Sequence, residues 1–300
     1  MPRSIRLGLI SEGTNTWPLY VAQARRLFDA HGLDVDVTVT GSSVAQQEAL
    51  LSGTFDIGFQ QPDHVVRAVE HGSDVFIFMP HGHAPEVTLV GAPGLRDIAD
   101  LRRRVVAVDG PRTGFALLLR QLLRQHGLDD TEVTFAEIGG SQERFDAMTS
   151  GVAAACLLNP PFDAKLVENG YRSLARMAEA FPTYPGSVMA ARRRWVEAEE
   201  DALIAFIRAY ETAYEWLRNP PNRADALALL PGRLAIAPRA AAAAISRYAQ
   251  RPKPSISAEG LEEVIDLVWS ADGFTHEKGR PAKYMDLSYR ARALAEVANG

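Results

Sequence analysis

The chain has 300 residues, a formal net charge of −5 at pH 7 and a composition ordinary for a globular protein. That length accommodates roughly two domains of about 100 to 200 residues, and the mild acidity argues against a nucleic-acid partner, which shows as a basic face. Cys156 is the one cysteine, which excludes an internal disulfide and a Cys-based metal site, and no apolar run approaches the ~20 residues that span a bilayer.

Ile5 to Ile10 alternates apolar with polar or small residues and predicts a buried strand. The polar loop Ser11 to Thr16 leads into a helix from Trp17 through about His31, with Thr16 as N-cap and Pro18 in the first turn, where its missing N–H goes unused. Gly32 is its left-handed stop. Val35, Val37 and Val39 mark the next strand, and Gly41-Ser42-Ser43 turns into a helix from Ala45 to Leu51. Phe55 to Phe59 is a third strand with exit loop Gln60-Gln61-Pro62, followed by a helix from Val65 to Glu70. Asp74 to Met79 is a fourth strand, ending at Pro80-His81-Gly82-His83. Strands alternating with helices predict a mostly parallel sheet covered on both faces.

Val87 to Gly91 predicts a strand carrying the chain out of this unit, and Leu95 to Leu101 a short helix. Val105 to Val108 opens a second unit, whose exit loop Asp109-Gly110-Pro111-Arg112-Thr113-Gly114 enters an amphipathic helix from Phe115 to His126. A strand from Val133 to Ile138, the Gly139-Gly140-Ser141 turn, a helix from Glu143 to Ser150, a strand from Ala154 to Leu158 and the loop Asn159-Pro160-Pro161 follow. This unit reads as a repeat of the first, the alternative being two generic α/β units alike because Gly ends helices and Ser opens loops. His31-Gly32-Leu33-Asp34 returns as His126-Gly127-Leu128-Asp129, Ser52-Gly53 as Ser150-Gly151, and Gln61-Pro62 as Asn159-Pro160. A spacing of about one hundred residues exceeds the usual ~20 to 50 of solenoid repeats and fits two domains of similar build.

Ser187 to Ala191 predicts a strand returning to the first unit, and from Trp195 onward the chain reads as helical: Asp201 to Arg218, Ala224 to Leu230, Arg239 to Tyr248, Ala258 to Ala271 and Ser288 to Ala298. Excursions near Pro85 and Pro185 predict a discontinuous lobe of residues 1–85 and 187–300 and a second lobe of residues 86–186.

The loop and helix start at Asn15-Thr16-Trp17, the segment from Leu51 to Gly58, the segment from Leu101 to Val108 and the helix end from Tyr214 to Pro220 resemble the nitrate, sulfonate and taurine group of type II solute-binding proteins. The resemblance covers nearly the whole chain. It implies an α/β, periplasmic-binding-protein-like II fold: two lobes, each a mostly parallel sheet flanked by helices, joined by two crossover hinges and clasping a small ligand. Most such proteins serve ABC importers in the periplasm, while thiamine-pyrimidine synthases and aromatic sulfinate desulfinases are enzymes on the same fold. Fold alone does not choose between them.

In open α/β sheets ligands sit beyond the carboxyl ends of the strands. That rule selects Asn15, Thr16, Trp17, Ser42, Ser43, Gln60, Gln61, His81 and His83 from the first lobe, and Arg112, Thr113, Gly114, Ser141 and Asn159 from the second. Arg112-Thr113-Gly114 is the sharpest candidate, since free N–H groups at a helix start can meet an anion beside a guanidinium and a hydroxyl; the plainer alternative is an N-cap beside a surface charge. Gln61 and its twin Asn159 suggest amides facing the ligand. Ser42, Ser43 and Ser141 suit helix caps with added ligand contact. Trp17 is a core residue at a helix entrance or, alternatively, a stacking wall, and Phe162 and Tyr184 carry the same two options.

A metal at His81 and His83 is not expected, because Gly82 interrupts the alternation that would align them and no acidic cluster accompanies them. Cys156 lies inside an apolar strand and is expected to be inert, since reactive thiols need a partly exposed electropositive setting. The first exit loop has no cysteine for desulfinase chemistry, the synthases' cysteine-rich motif is missing, and the four lysines lie away from the exit loops, against a Schiff-base cofactor. The expectation is therefore a monomeric solute-binding protein without a cofactor. It would clasp a small organic anion or flat heterocycle for an ABC permease. The alternative is a decarboxylase- or lyase-like enzyme using His81 or His83 as proton carrier, and a cytoplasmic ligand sensor is a third option. The chain opens Met1-Pro2-Arg3-Ser4 and enters a strand at once, without an apolar leader; the expected location is periplasmic if a leader was removed and cytoplasmic if Met1 is the natural start.

Overall fold

A computed structural model of the chain describes residues 2–229 and 238–297. Its strands are β1 (Arg3–Leu9), β2 (Leu33–Val39), β3 (Ile57–Gln60), β4 (Val75–Pro80), β5 (Thr88–Gly91), β6 (Val105–Val108), β7 (Thr134–Glu137), β8 (Ala155–Leu158), β9 (Arg172–Arg176) and β10 (Val188–Arg192). They form two sheets, ordered β2-β1-β3-β10-β4 and β7-β6-β8-β5-β9. The second order repeats the first place for place, so the repeat in the sequence is a repeat in topology. Gly58 pairs with Ala190 in one sheet, and its twin Cys156 pairs with Val90 in the other.

Both sheets are mixed. β1 runs parallel to β2 and β3, and β6 to β7 and β8. The strand that reaches each sheet from across a crossover, β10 or β5, runs antiparallel to both its neighbours. Strand β9 closes the second sheet, although its polar sequence Arg-Ser-Leu-Ala-Arg gives it no place among the predicted elements.

The helices are α1 (Trp17–Ala24), α2 (Leu27–Ala30), α3 (Ser43–Ser52), α4 (Pro62–Glu70), α5 (Gly114–Gln125), α6 (Ser141–Thr149), α7 (Phe162–Glu168), α8 (Met177–Ala180), α9 (Arg193–Arg218), α10 (Arg223–Leu229), α11 (Pro238–Gln250), α12 (Ala258–Asp272) and α13 (Ser288–Val297). The single helix expected from Trp17 to His31 is broken, because Arg26 adopts a left-handed φ of 56° and pairs with Asp29 one turn on. The segment from Leu95 to Leu101 contracts to a 3-10 turn over Ile98–Leu101. The helix ends expected at Leu230 and Ala298 lie outside the described residues.

Alternation in β1 leaves Ile5, Leu7 and Leu9 fully buried, and the apolar face of α9 packs over them with Phe206, Ile207 and Tyr210. Each such aliphatic side chain contributes about 1.5–3 kcal/mol by burial. A second core draws on both sheet units: Val65 and Val66 of α4, Leu118 and Leu122 of α5, and Leu261, Val264, Ile265 and Val268 of α12. The i, i+3, i+4, i+7 spacing in α12 makes one apolar stripe. Ser257 caps its start by accepting from Gly260 N at 3.0 Å, and Gly273 ends it at φ 68°.

Candidate ligand-binding cleft

The carboxyl ends of β1, β2 and β3 face those of β6, β7 and β8 across a cavity of about 320 Å³, at the lower end of the ~300–1,000 Å³ usual for small-molecule sites. Ser42, Ser43, Gln61, Thr113, Gly114, Ser141 and Asn159 all line it. Four helices begin at its walls. Ser42 caps α3 by accepting from Ala45 N at 3.3 Å, and Thr113 caps α5 by accepting from Ala116 N at 3.4 Å while its hydroxyl donates to Asp109 Oδ1 at 2.8 Å. Gln61 and Gly140 hold the N-cap positions of α4 and α6. Helix starts present free N–H groups and partial positive charge, each favouring an anion by about 0.3–1 kcal/mol. Asn159 Nδ2 donates to Ser141 Oγ at 3.3 Å, which joins two of the candidates directly. Gly114 packs so closely on Asp63 and Tyr184 that a Cβ there would collide with Asp63 Oδ1.

Arg144 is the functional candidate that sequence reasoning missed. It lines the cleft from the first turn of α6 and is 5% exposed. Its Nε donates to Leu157 O at 2.9 Å, Nη1 to Gly139 O, and Nη2 to Ser141 Oγ at 3.4 Å. Among the described residues it forms no ion pair. Burial pulls its pKa below the ordinary arginine value despite the opposing fields of Asp109, Cys156 and Glu143. Three of five N–H donors are committed to this framework, leaving two for a ligand. A cation at the positive end of a helix dipole and out of water is doubly disfavoured, so an anion in the cleft would relieve both penalties. The signal was present in the repeat: Arg144 stands where Gln46 stands in the first unit, and Gln46 is likewise fully buried, its Nε2 donating to Gly8 O at 2.9 Å.

A sequence model of the NMT1/THI5-like family matches residues 13–224. The chain belongs to that family. It is 26% identical over 228 residues, 74% of this chain and 69% of the other, to a Brucella abortus protein whose name goes no further than binding protein. Among solved structures, the alkanesulfonate-binding protein SsuA from Xanthomonas axonopodis pv. citri, bound to MOPS, superposes with a TM-score of 0.77 at 20% identity, covering 95% of this chain and 98% of that one. The periplasmic nitrate-binding protein NrtA from Synechocystis PCC 6803 gives 0.80 at 13% identity, over 100% and 90%. These likenesses place the chain on the type II periplasmic-binding-protein fold.

In this NMT1/THI5-like chain several sequence-predicted residues lie outside the cleft. Arg112 is exposed and turned toward α12, where its Nη2 donates to Asp272 Oδ1 at 2.6 Å. Trp17 is fully buried in the core beneath β1, so its ring forms no wall. The Thr16 hydroxyl is turned back onto Gly13 O at 2.7 Å. Gln60 is buried one layer behind the cleft, donating to Gln46 Oε1 at 2.5 Å while its Oε1 accepts from His64 Nδ1 at 3.1 Å. Tyr184 is buried and Phe162 packs on Phe145.

Asn15, His81 and His83 line a separate pocket of about 40 Å³ beside the crossover, with Tyr214 and Tyr248. His81 Nε2 donates to Asn15 O at 3.0 Å, and Nδ1 accepts from Ser187 Oγ at 2.8 Å, which fixes the neutral tautomer. Burial pushes its pKa down to about 4. His83 meets Tyr214 OH at 3.1 Å. The histidine that lines the cleft is His64, which the sequence did not single out.

Proposed function

We propose that this chain is the monomeric solute-binding component of an ABC-type importer, closing a lobe of residues 1–85 and 187–300 and a lobe of residues 86–186 on a small organic molecule with an anionic group. The observation that carries this is Arg144: a buried guanidinium that forms no ion pair with a carboxylate among the described residues, in a cleft onto which four helix starts open. The anionic group would take the two remaining Arg144 N–H donors and those of the α5 and α6 starts, with Ser42, Ser43 and Gln61 reaching the ligand from the opposite lobe. A ligand touching both lobes favours the closed state by its differential affinity, and the closed state is what a permease can distinguish.

Binding without turnover is supported by the placement of Cys156, His81 and His83, the side chains weighed for chemistry in the sequence. Cys156 is fully buried with its thiol pushed up to about 12, and His81 and His83 face another pocket. The test is mass spectrometry of metabolites retained from cell extract by the wild-type protein and by Arg144→Gln. Retention of an unaltered compound by the wild type, lost in the variant, is the expected result; conversion of that compound into product would overturn the assignment.

A further inference from the structure

Resting on that assignment of the cleft, we propose that its ligand is dipolar, with an anionic group for Arg144 and a cationic or N–H-rich group for Glu137 and Asp109. The charged residues of the cleft wall are these three, all from the second sheet unit, whereas the first contributes Ser42, Ser43, Gln61 and His64. Two carboxylates therefore share the cavity with one guanidinium.

Neither carboxylate is used up by the fold. Glu137 ends β7, is exposed, and makes no side-chain hydrogen bond or ion pair among the described residues. It precedes the first residue of α6 by one helical turn's length of chain and is not its cap, which is Gly140. Asp109 accepts from the Thr113 hydroxyl on Oδ1, and its Oδ2 takes no hydrogen bond among the described residues. A simple oxyanion entering this cleft gains Arg144 and the helix starts but meets two carboxylates on the same wall. An amine or amidine on the same molecule turns that repulsion into attraction, so Glu137 and Asp109 act as specificity determinants against plain anions.

The probe is a paired panel: short straight-chain carboxylates, sulfonates and phosphonates, each with and without a terminal amino group, measured by calorimetry and thermal shift on the full chain. Amino members are expected to bind at least about tenfold tighter than their plain partners. Glu137→Gln and Asp109→Asn, both near-isosteric, should shrink that ratio toward one. Equal or tighter binding of the plain acids, a preference that survives in both variants, or binding by neither series would each overturn the dipolar assignment. The importer assignment is judged separately, by whether Arg144→Gln abolishes retention of metabolite from extract.

Discussion

Arg112 Nη2 lies 2.6 Å from Asp272 Oδ1, and the other oxygen of the same carboxylate accepts from Arg67 Nε. Arg112 leaves β6 in one sheet unit and Arg67 sits on α4 in the other, so the last residue of α12 ties the two together. Arg67 extends the network, with Nη1 on Asp63 Oδ2 at 3.2 Å and Nη2 on Arg112 O at 3.1 Å. Asp272→Asn should lower stability by about 1.5–3 kcal/mol, the usual worth of hydrogen bonds to a charged group. A thermal melt in which the variant matches the wild type would contradict this.

The acid limb of stability should show the same carboxylate. Burial alone would raise the Asp272 pKa, but hydrogen bonds from Arg112 and Arg67 outweigh it and hold the group below its ordinary value of 3.8. A depressed acid stabilises the fold above its unfolded pKa, and that contribution disappears as pH falls through the folded value. Denaturant melts from pH 5 down to pH 2 should therefore lose stability more steeply in the wild type than in Asp272→Asn.

Arg112 and Arg144 should separate cleanly in ligand binding. Calorimetry with the retained metabolite is expected to give Arg112→Ala an affinity within about twofold of wild type, and Arg144→Gln a loss of about 30-fold, equivalent to about 2 kcal/mol. The reverse order would move the anion site to the outer face of α5.

His81 should impose a pH dependence in a higher window. Its ordinary value is 6.5, and burial lowers it to about 4 in the fold. Between these values the unfolded chain binds the proton that the fold refuses, so stability rises with pH across the window and is fully present above 6.5. The contribution amounts to about 3 kcal/mol. Equilibrium melts of wild type and His81→Gln, compared at pH 7 and pH 4.5, should diverge by much of that amount; parallel curves would refute it.

Cys156 is the simplest probe of global opening. Its buried thiol, pushed up to about 12, should react with a disulfide reagent only at the rate of unfolding in native buffer. Prompt stoichiometric labelling would show that β8 is not sealed.

The fold was legible because its signals are local and doubled. The β1 alternation, the glycine stops and the paired exit loops each predict one element, and the repeat predicts how the elements are arranged. Strand β9 escaped because a half-exposed edge strand needs little apolar sequence. The cleft was half legible. Residues whose side chains cap a helix at a strand exit, Ser42 and Thr113, are placed by backbone geometry that the sequence declares, whereas Ser141, expected as a cap, is the first residue of α6 behind the Gly140 N-cap. Arg112 was misjudged because the direction a loop side chain takes depends on a partner 160 residues away, Asp272. Arg144 was overlooked because an arginine inside a helix reads as a surface charge until the sheet it lies against is known.

The seat of α12 has a mechanical consequence. Since its apolar stripe is embedded in α4 on one side and α5 on the other, the two halves are joined by a packed spine as well as by the peptide links near Pro85 and Pro185. Wide gaping would tear Leu261 and Val268 out of their sockets, whereas a small rocking about the spine preserves them. Any relative movement of the two sheet units is then confined to a narrow angular stroke about α12.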